Sequence, residues 1–301
     1  MIYRIIQKRK IFLSLSTLAV VASILALVFW GLNFGVDFTG GSLMEVRLNN
    51  YQPTMTEIQD SLKDANIHNL TIQPTQDSTI LRFKEDTEVA HQAVVAGLQN
   101  LAQSKQTTFT ELQFDSVGPS IGQELKSKSF NSTALVFVAI ILYISLAFRK
   151  VSKPVASWKY GVAAVIALVH DILFILGTFS VLGHFYGIEI NTPFIAAILT
   201  VLGYSVSDTI VVFDRIRENL PKSQEDFENT VNRSVNQTIT RSINTSLASI
   251  LALLSVLIFG GSTIKDFALA LVIGIFIGTY SSIFIASPVL VVWEKAMHRK
   301  K

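Results

Sequence analysis

The stretch TPFIAAILTVLGYSVSDTIVVFDRIREN, from Thr192 to Asn219, decides how this chain folds. Its first residues, Thr192 and Pro193, suit the cap and the first turn of a helix. The apolar run that follows is long enough to cross a bilayer, and it ends at the charged residues Arg215 and Arg217. The pattern predicts a membrane-spanning helix.

This predicted helix contains a carboxylate, Asp208, within its apolar run. At the helical rise, Asp208 lies about 22 Å beyond Pro193, inside the hydrocarbon and nearer the end marked by the arginines. A carboxylate at the centre of a membrane helix costs at least ~2.5 kcal/mol, so it must face protein, water or an opposite charge. A structural hydrogen bond between helices is one explanation. We favour a role in an ion or proton pathway, which is the default role of such groups.

The composition is typical of a multi-span membrane protein, because half of the 301 residues are apolar and 16% are charged. Residues 32–130 carry seven Lys/Arg and twelve Asp/Glu, whereas the remainder carries eighteen and ten. This asymmetry predicts a different environment for each part, one on each side of the membrane. The basic residues form short clusters beside apolar runs, which argues against nucleic-acid binding. The chain has no cysteine, so disulfides and thiolate metal sites are excluded.

Six apolar runs predict six membrane-spanning helices. Residues 1–31 hold a basic N-terminus and the first span, which is too long and lacks the cleavage site expected of a signal peptide. Residues 131–301 are predicted to hold the other five spans, at 132–148, 160–182, 192–219, 241–259 and 267–293. The basic clusters all fall on one side of these spans, so the positive-inside rule places both termini in the cytoplasm. The clusters beyond residue 131 are Arg149, Lys150, Lys153 and Lys159, then Arg215 and Arg217, and finally Lys295, Arg299, Lys300 and Lys301.

Residues 32–130 are predicted to form an extracytoplasmic α+β domain. Apolar residues alternate with polar ones from Ser42 to Leu48, which indicates a half-buried strand. Thr54 and Glu57 form a capping-box pattern for one helix, and Thr87 suits the cap of a second. Three further strands are expected at 70–72, 80–83 and 109–117. The order β-α-β-β-α-β is that of a ferredoxin-like unit, a fold that does not specify a function.

Three other polar residues of the predicted spans are candidates for function. Arg241, at the start of the fifth span, could reach Asp208, although a basic residue snorkelling to the interface would look the same. Asp171, near the middle of the third span, is a second candidate relay, or equally a satisfied contact between helices. His170 could exchange protons, or it could be bonded to a neighbour.

Two further patterns suggest structural roles. Asp214 and Arg215 suggest an ordinary charge pair at a helix end. Gly274-x-x-x-Gly278 in the sixth span predicts a helix-packing face.

The sequence contains no nucleotide-binding loop, zinc-ligand spacing or nucleophile motif, so we expect no cofactor, no metal and no enzymatic activity.

Three motifs of the chain resemble the SecF members of the SecD/SecF family. The stretch Gly35-Val36-Asp37-Phe38-Thr39-Gly40-Gly41-Ser42 is similar to the motif that follows the first span in that family. Residues 117–122 (VGPSIG) resemble the signature before its second span. Residues 203–219 resemble its fourth-span motif, with Ser207 where asparagine is common. The motif residues are Gly35, Asp37, Gly40, Gly41, Gly203, Ser207, Asp214 and Arg215.

The resemblance implies a fold and a function. The fold is half of an RND-type helical bundle with one outer domain, in the bacterial plasma (inner) membrane. The function is accessory to protein export: with SecD, the proton-motive force helps to pull a translocating polypeptide from the SecYEG channel, and YajC is a further candidate partner. The family's essential aspartate and arginine match Asp208 and Arg241.

Two other functions are compatible with part of the pattern. Half of a small-molecule RND-type exporter is the first, although one small outer domain and six spans do not make a complete pump. A scaffold that stabilises a translocase without moving protons is the second. Asp208 argues against the scaffold, because a scaffold has little need of an ionisable group inside the membrane.

Overall fold

The computed structural model describes residues 3–75, 77–147, 156–260 and 262–298. Short 3₁₀ turns lie at Lys63–Ala65 and Leu220–Lys222. In chain order the other elements are α1 (Arg9–Trp30), α2 (Val36–Thr39), β1 (Gly41–Leu48), α3 (Met55–Ser61), β2 (Thr71–Pro74), β3 (Thr79–Phe83), α4 (Glu88–Ser104), β4 (Phe109–Val117), α5 (Pro119–Ala147), α6 (Ser157–Tyr186), α7 (Thr192–Asn219), α8 (Phe227–Phe259), α9 (Ser262–Ser281), a π-helical segment (Ser282–Ala286) and α10 (Ser287–His298).

The described residues contain six helical segments that are long and apolar enough to cross a membrane. These segments are α1, α5, α6, α7, α8 and the run from α9 to α10. The prediction of six spans is therefore confirmed. The chain divides into two compact units, of which one consists of residues 34–130 and the other holds all the remaining residues.

Two spans begin more than ten residues earlier than the hydropathy pattern predicts. Helix α5 begins at Pro119 rather than near residue 132, and its polar first turns include an ion pair of 2.7 Å between Glu124 and Lys128. Helix α8 begins at Phe227 rather than at Arg241, with Asp226 as its cap. Both extensions are polar, so a search for apolar runs does not detect them. Arg149, Lys150, Lys153, Arg299, Lys300 and Lys301 lie outside the described residues.

Residues 34–130 form the predicted ferredoxin-like unit. The sheet has the strand order β2-β3-β1-β4, and all neighbouring strands are antiparallel. The alternation seen in β1 buries Met44 and Val46 against Ile58 of α3 and Leu98 of α4. Thr54 makes the predicted capping box at the start of α3. The local signals of this unit thus agree with its tertiary packing.

Glycines allow close approach between helices of the membrane-spanning unit. A Cβ atom added at Gly177 of α6 would lie 2.5 Å from the Cα of Ser23 in α1. Gly274 of α9 packs in the same way against the side chain of Val201 in α7. Gly278 packs against the next turn of α7, so Gly274 and Gly278 form the packing face that their spacing predicts.

The substitution Gly177→Ala is expected to destabilise the membrane-spanning unit by about 1–3 kcal/mol, because α1 must move to admit the new methyl group. The unfolding equilibrium of the purified chain in mixed detergent micelles measures this change. Gly203→Ala is the matched control, since among the described residues no atom outside the adjacent backbone of α7 lies within 4 Å of the added Cβ. Equal stability of the two variants would contradict the close packing of α1 on α6.

Candidate functional site

Asp208 is held by hydroxyl groups from two neighbouring helical segments. Ser242 of α8 donates a hydrogen bond from Oγ to Oδ1 over 2.5 Å. Ser282, the first residue of the π-helical segment, donates from Oγ to Oδ2. Asp208 itself is partly buried in α7. The carboxylate predicted to need a partner inside the bilayer therefore has two, and both are uncharged.

Asp171 of α6 has a closely similar environment but is completely buried. Ser205 of α7 and Ser281 of α9 each donate a hydrogen bond of 2.7 Å to its Oδ2. His170 places Nδ1 3.1 Å from its Oδ1. Three groups on three helices therefore meet at this second carboxylate.

The two carboxylates are connected through α9. Ser281 bonds Asp171, and Ser282, the next residue, bonds Asp208. Successive residues of a helix point about 100° apart, so adjacent serines can serve two different carboxylates. The α-helix changes to a π-helix at this point, a feature that is frequent at functional sites. The candidate site is thus one polar cluster shared by α6, α7, α8, α9 and the π-helical segment.

Further hydroxyls extend the cluster along α8. Tyr204 donates a hydrogen bond from its hydroxyl to Ser246 Oγ over 3.1 Å, and Ser246 also bonds Thr279 of α9. Ser246 and Thr279 are both buried. Because uncharged hydroxyls can donate and accept, they can follow a change in the protonation of a neighbouring carboxylate at little cost.

His170 presents an unsatisfied nitrogen beside this cluster. Its Nε2 is buried and has no hydrogen-bond partner within the described part of the chain. Its ring lines an apolar cavity of about 270 Å³ between α1, α6 and the π-helical segment. If Nδ1 carries the proton, it donates a hydrogen bond to Oδ1 of Asp171, and Nε2 is left as an unpaired acceptor. His170 is therefore bonded to Asp171, which is one of the two explanations that the sequence offered for it.

Arg241 does not contact Asp208 in this structure. The arginine is exposed on α8, and the adjacent Ser242 occupies the position facing Asp208. Counting depth along the helix predicted that Arg241 could reach the carboxylate. Depth alone does not give the direction of a side chain, and residues 241 and 242 point about 100° apart.

The expected pairing of Asp214 with Arg215 is wrong. Asp214 pairs with Arg217 at 2.6 Å, and Arg215 pairs with Glu218 at 3.0 Å. Both observed pairs have i,i+3 spacing, at which side chains meet on a helix surface, whereas adjacent residues diverge. These exposed pairs lie at the C-terminal end of α7, beyond the apolar run.

The remaining motif residues fall into two groups. Gly35, Asp37, Gly40 and Gly41 belong to residues 34–130, where α2 leads into β1. Gly40 and Gly41 have φ angles of +75° and +115°, and an added Cβ at Gly41 would lie 2.6 Å from the Phe83 carbonyl oxygen. Their role is thus to shape the start of the sheet. Gly203 and Ser207 lie on the exposed face of α7.

Comparison with known proteins gives matches over almost the whole chain. The family described as "Protein export membrane protein SecD/SecF, C-terminal" matches residues 97–296, and the "SecD/SecF GG Motif" matches residues 26–50. The protein translocase subunit SecF of Thermobaculum terrenum is 42% identical over 96% of this chain and 93% of the relative. That of Anaerolinea thermophila is 38% identical over 98% and 95%.

Two solved structures have the same fold. SecDF from Thermus, described as a translocon-associated membrane protein, superposes with a TM-score of 0.83 at 32% identity. A SecDF structure in a super-membrane-facing form superposes with a TM-score of 0.70 at 31% identity. The two superpositions cover 98% and 100% of this chain, but only 39% and 40% of the longer SecDF chains.

Ser281→Ala is expected to destabilise the chain more than Ser282→Ala. Asp171 is completely buried, so water cannot replace the lost hydroxyl, and a cost of about 1 kcal/mol is expected. Asp208 is partly buried, so water can restore its lost bond. Unfolding in mixed micelles measures both values, with Ser255→Ala as the control because, among the described residues, Ser255 bonds the Ala252 carbonyl oxygen of its own helix. The reverse order would contradict this description of the site.

Proposed function

The chain belongs to the SecD/SecF family of protein-export membrane proteins, and on that premise we propose that it couples proton movement to polypeptide export as an accessory subunit of the Sec translocase. The supporting observation is Asp208, a carboxylate held by hydroxyls at the junction of α7, α8 and the π-helical segment. The relatives are described as translocase subunits, which supports a transport role and not an enzymatic one.

Protonation of Asp208 would change its contacts with both neighbouring segments. The ionised carboxylate accepts hydrogen bonds from Ser242 and Ser282. A protonated carboxyl group instead carries one donor, so at least one serine hydroxyl must turn or separate. The electrical part of a proton gradient supplies ~2.3 kcal/mol per charge at 100 mV, which is similar to the net value of one hydrogen bond to a charged group. Where the serine separates from the carboxyl group and does not turn, proton uptake would shift α8 or the π-helical segment relative to α7.

Arg241 would control this step in competition with Ser242. A rotation of α8 by about one residue, or 100°, would replace Ser242 with Arg241 opposite Asp208. A guanidinium beside the carboxylate favours its ionised form, and therefore proton release. In this scheme, the arrangement with Arg241 exposed would be the one in which Asp208 can take up a proton.

Asp171 and His170 would form a second station of the relay. Ser281 and Ser282 join Asp171 to Asp208 through adjacent residues of one helix. His170 adds an imidazole with one buried nitrogen facing an apolar cavity. The order of proton transfer would then be from His170 through Asp171 to Asp208, or the reverse.

A SecD-type subunit is the partner that would complete the membrane bundle. Small or weakly polar residues form an exposed line on α7, namely Ala196, Thr200, Gly203 and Ser207. Exposed polar residues also occur on α8, namely Gln237, Arg241 and Asn244. Such side chains are costly against lipid and need protein or water beside them, and small residues permit close helix packing. The two surfaces support the assignment of this chain as half of an RND-type bundle.

The proposed location is the bacterial plasma membrane, with both termini in the cytoplasm. Exposed lysines and arginines before α1, such as Arg4 and Lys8, support this orientation through the positive-inside rule. Residues 34–130 would then lie outside the cytoplasm, where the edge strands β2 and β4 could add a strand from a translocating polypeptide. SecYEG and YajC are the further partners proposed for the assembled complex.

Asp208→Asn is expected to abolish the gradient-dependent part of export and to leave the complex assembled, because it removes the titrating group but keeps its shape. Export into membrane vesicles, with and without a proton gradient, measures this effect. Arg241→Lys is expected to reduce the gradient-dependent part of export, because lysine lacks the planar guanidinium that can bond a carboxylate with two hydrogen bonds. Asp214→Asn is the matched control, a carboxylate of the same helix outside the apolar run. A parental gradient response in Asp208→Asn would contradict the proposal.

Ser207→Trp is expected to prevent association with a SecD-type partner, since the indole would fill the exposed face of α7. Co-purification of the partner from native membranes measures this association. Leu18→Trp is the control, because Leu18 is an exposed apolar residue of α1, which contributes to neither surface proposed for the partner. Undiminished co-purification with Ser207→Trp, or a fully active isolated chain, would contradict a partner at this face.

A further inference from the structure

A groove lies between the N-terminal segment, α8 and the π-helical segment. Its volume is about 460 Å³, within the range of ~300–1,000 Å³ that is usual for ligand sites. Most of its surface is apolar, and two basic residues lie at its edge. The residues that matter for its chemistry are Tyr3, Arg4, Lys8, Phe12, Ile243 and Phe284.

Asparagines of α8 fix the N-terminal side of this groove. Asn232 and Asn236 both donate from Nδ2 to the Tyr3 carbonyl oxygen, over 3.0 and 2.8 Å. The backbone N–H groups of Tyr3 and Ile6 donate in return to the two amide oxygens, over 2.7 and 3.1 Å. The segment before α1 is thus held against α8 at both ends of a turn, so the groove is preformed.

The basic residues at the edge of the groove have no acidic partner among the described residues. The nearby Glu228 bonds Arg9 at 2.6 Å and also bonds Lys295. Arg4 and Lys8 are exposed and line the groove four residues apart. The groove therefore carries two uncompensated positive charges at its mouth.

The interior of the groove is built from hydrocarbon. The rings of Phe12 and Phe284 lie 4.4 Å apart between centroids and form its floor. Ile243 of α8 stands beside them and is 49% exposed. A soluble anion would make no favourable contact with this apolar surface, whereas an acyl chain would bury it.

We propose that this groove is a binding site for one anionic phospholipid. The phosphate group lies between Arg4 and Lys8, and an acyl chain follows Phe12, Ile243 and Phe284. The charges complement a lipid phosphate, and basic pockets beside membrane spans bind anionic headgroups in this way. The site stands at the charged end of α1, where headgroups meet the hydrocarbon. The proposal is independent of proton coupling by Asp208.

The test is native mass spectrometry of the full chain in detergent, titrated with phosphatidylglycerol or with phosphatidylcholine of the same acyl chains. We expect one phosphatidylglycerol to bind at least tenfold more tightly than phosphatidylcholine. Inorganic phosphate at millimolar concentration should not displace it. Equal affinities for the two lipids, or displacement by phosphate alone, would overturn the proposal.

Variants locate the bound lipid. The double variant Arg4→Gln/Lys8→Gln should weaken phosphatidylglycerol binding by roughly thirtyfold, about fivefold for each cation. Lys10→Gln/Lys222→Gln is the matched control, because it removes two exposed cations that do not line the groove. Ile243→Trp should weaken binding of both lipids by filling the groove. Equal losses in the double variant and its control would mean that net charge, not the groove, attracts the lipid.

A photoreactive benzophenone side chain at position 247, one turn beyond Ile243 on α8 and outside the groove lining, tests the occupant in native membranes. We expect adducts with phospholipid. An adduct with another polypeptide and none with lipid would show that a protein covers the groove, and would overturn the proposal.

Discussion

A carboxylate inside hydrocarbon is tolerated only when other groups satisfy it, and the packing of α6 to α9 is organised around that requirement. Asp171 and Asp208 lie on different helices, and each accepts two serine hydroxyls from helices other than its own. The glycines of α9 bring it close enough to α7 for these bonds to form. In this unit, close helix packing thus makes possible the hydrogen bonds that the two buried or partly buried carboxylates require.

The choice of hydroxyl partners has a chemical consequence. A buried salt bridge would keep its carboxylate ionised, since losing one partner leaves an unpaired charge in the membrane. Serine hydroxyls can donate to a carboxylate or accept from a carboxyl group, so they stabilise both protonation states. A site of this kind suits reversible proton binding better than an ion pair does. The proposed competition between Ser242 and Arg241 would add a means of favouring one state.

Local sequence signals predicted much of the fold. The six apolar runs, the capping box at Thr54 and the apolar positions of β1 that enter the core each depend on near neighbours in the chain, and each is present in the structure. Asp208 was found because a single carboxylate within an apolar run is costly. The serines that hold it were not found, because serine is common in membrane helices and its partners lie on other helices. The direction of Arg241 was missed for the same reason, since it depends on how α8 packs against α7.

Infrared difference spectroscopy of the assembled complex, recorded as the pH is lowered, tests most directly whether Asp208 exchanges a proton. A protonated carboxyl group in apolar surroundings gives a carbonyl stretch that no ionised carboxylate shows. We expect this band to grow as the pH falls, to be weakened in Asp208→Asn by the contribution of that residue and to be unchanged in Asp214→Asn. A band that Asp208→Asn leaves unchanged would contradict proton exchange at this residue.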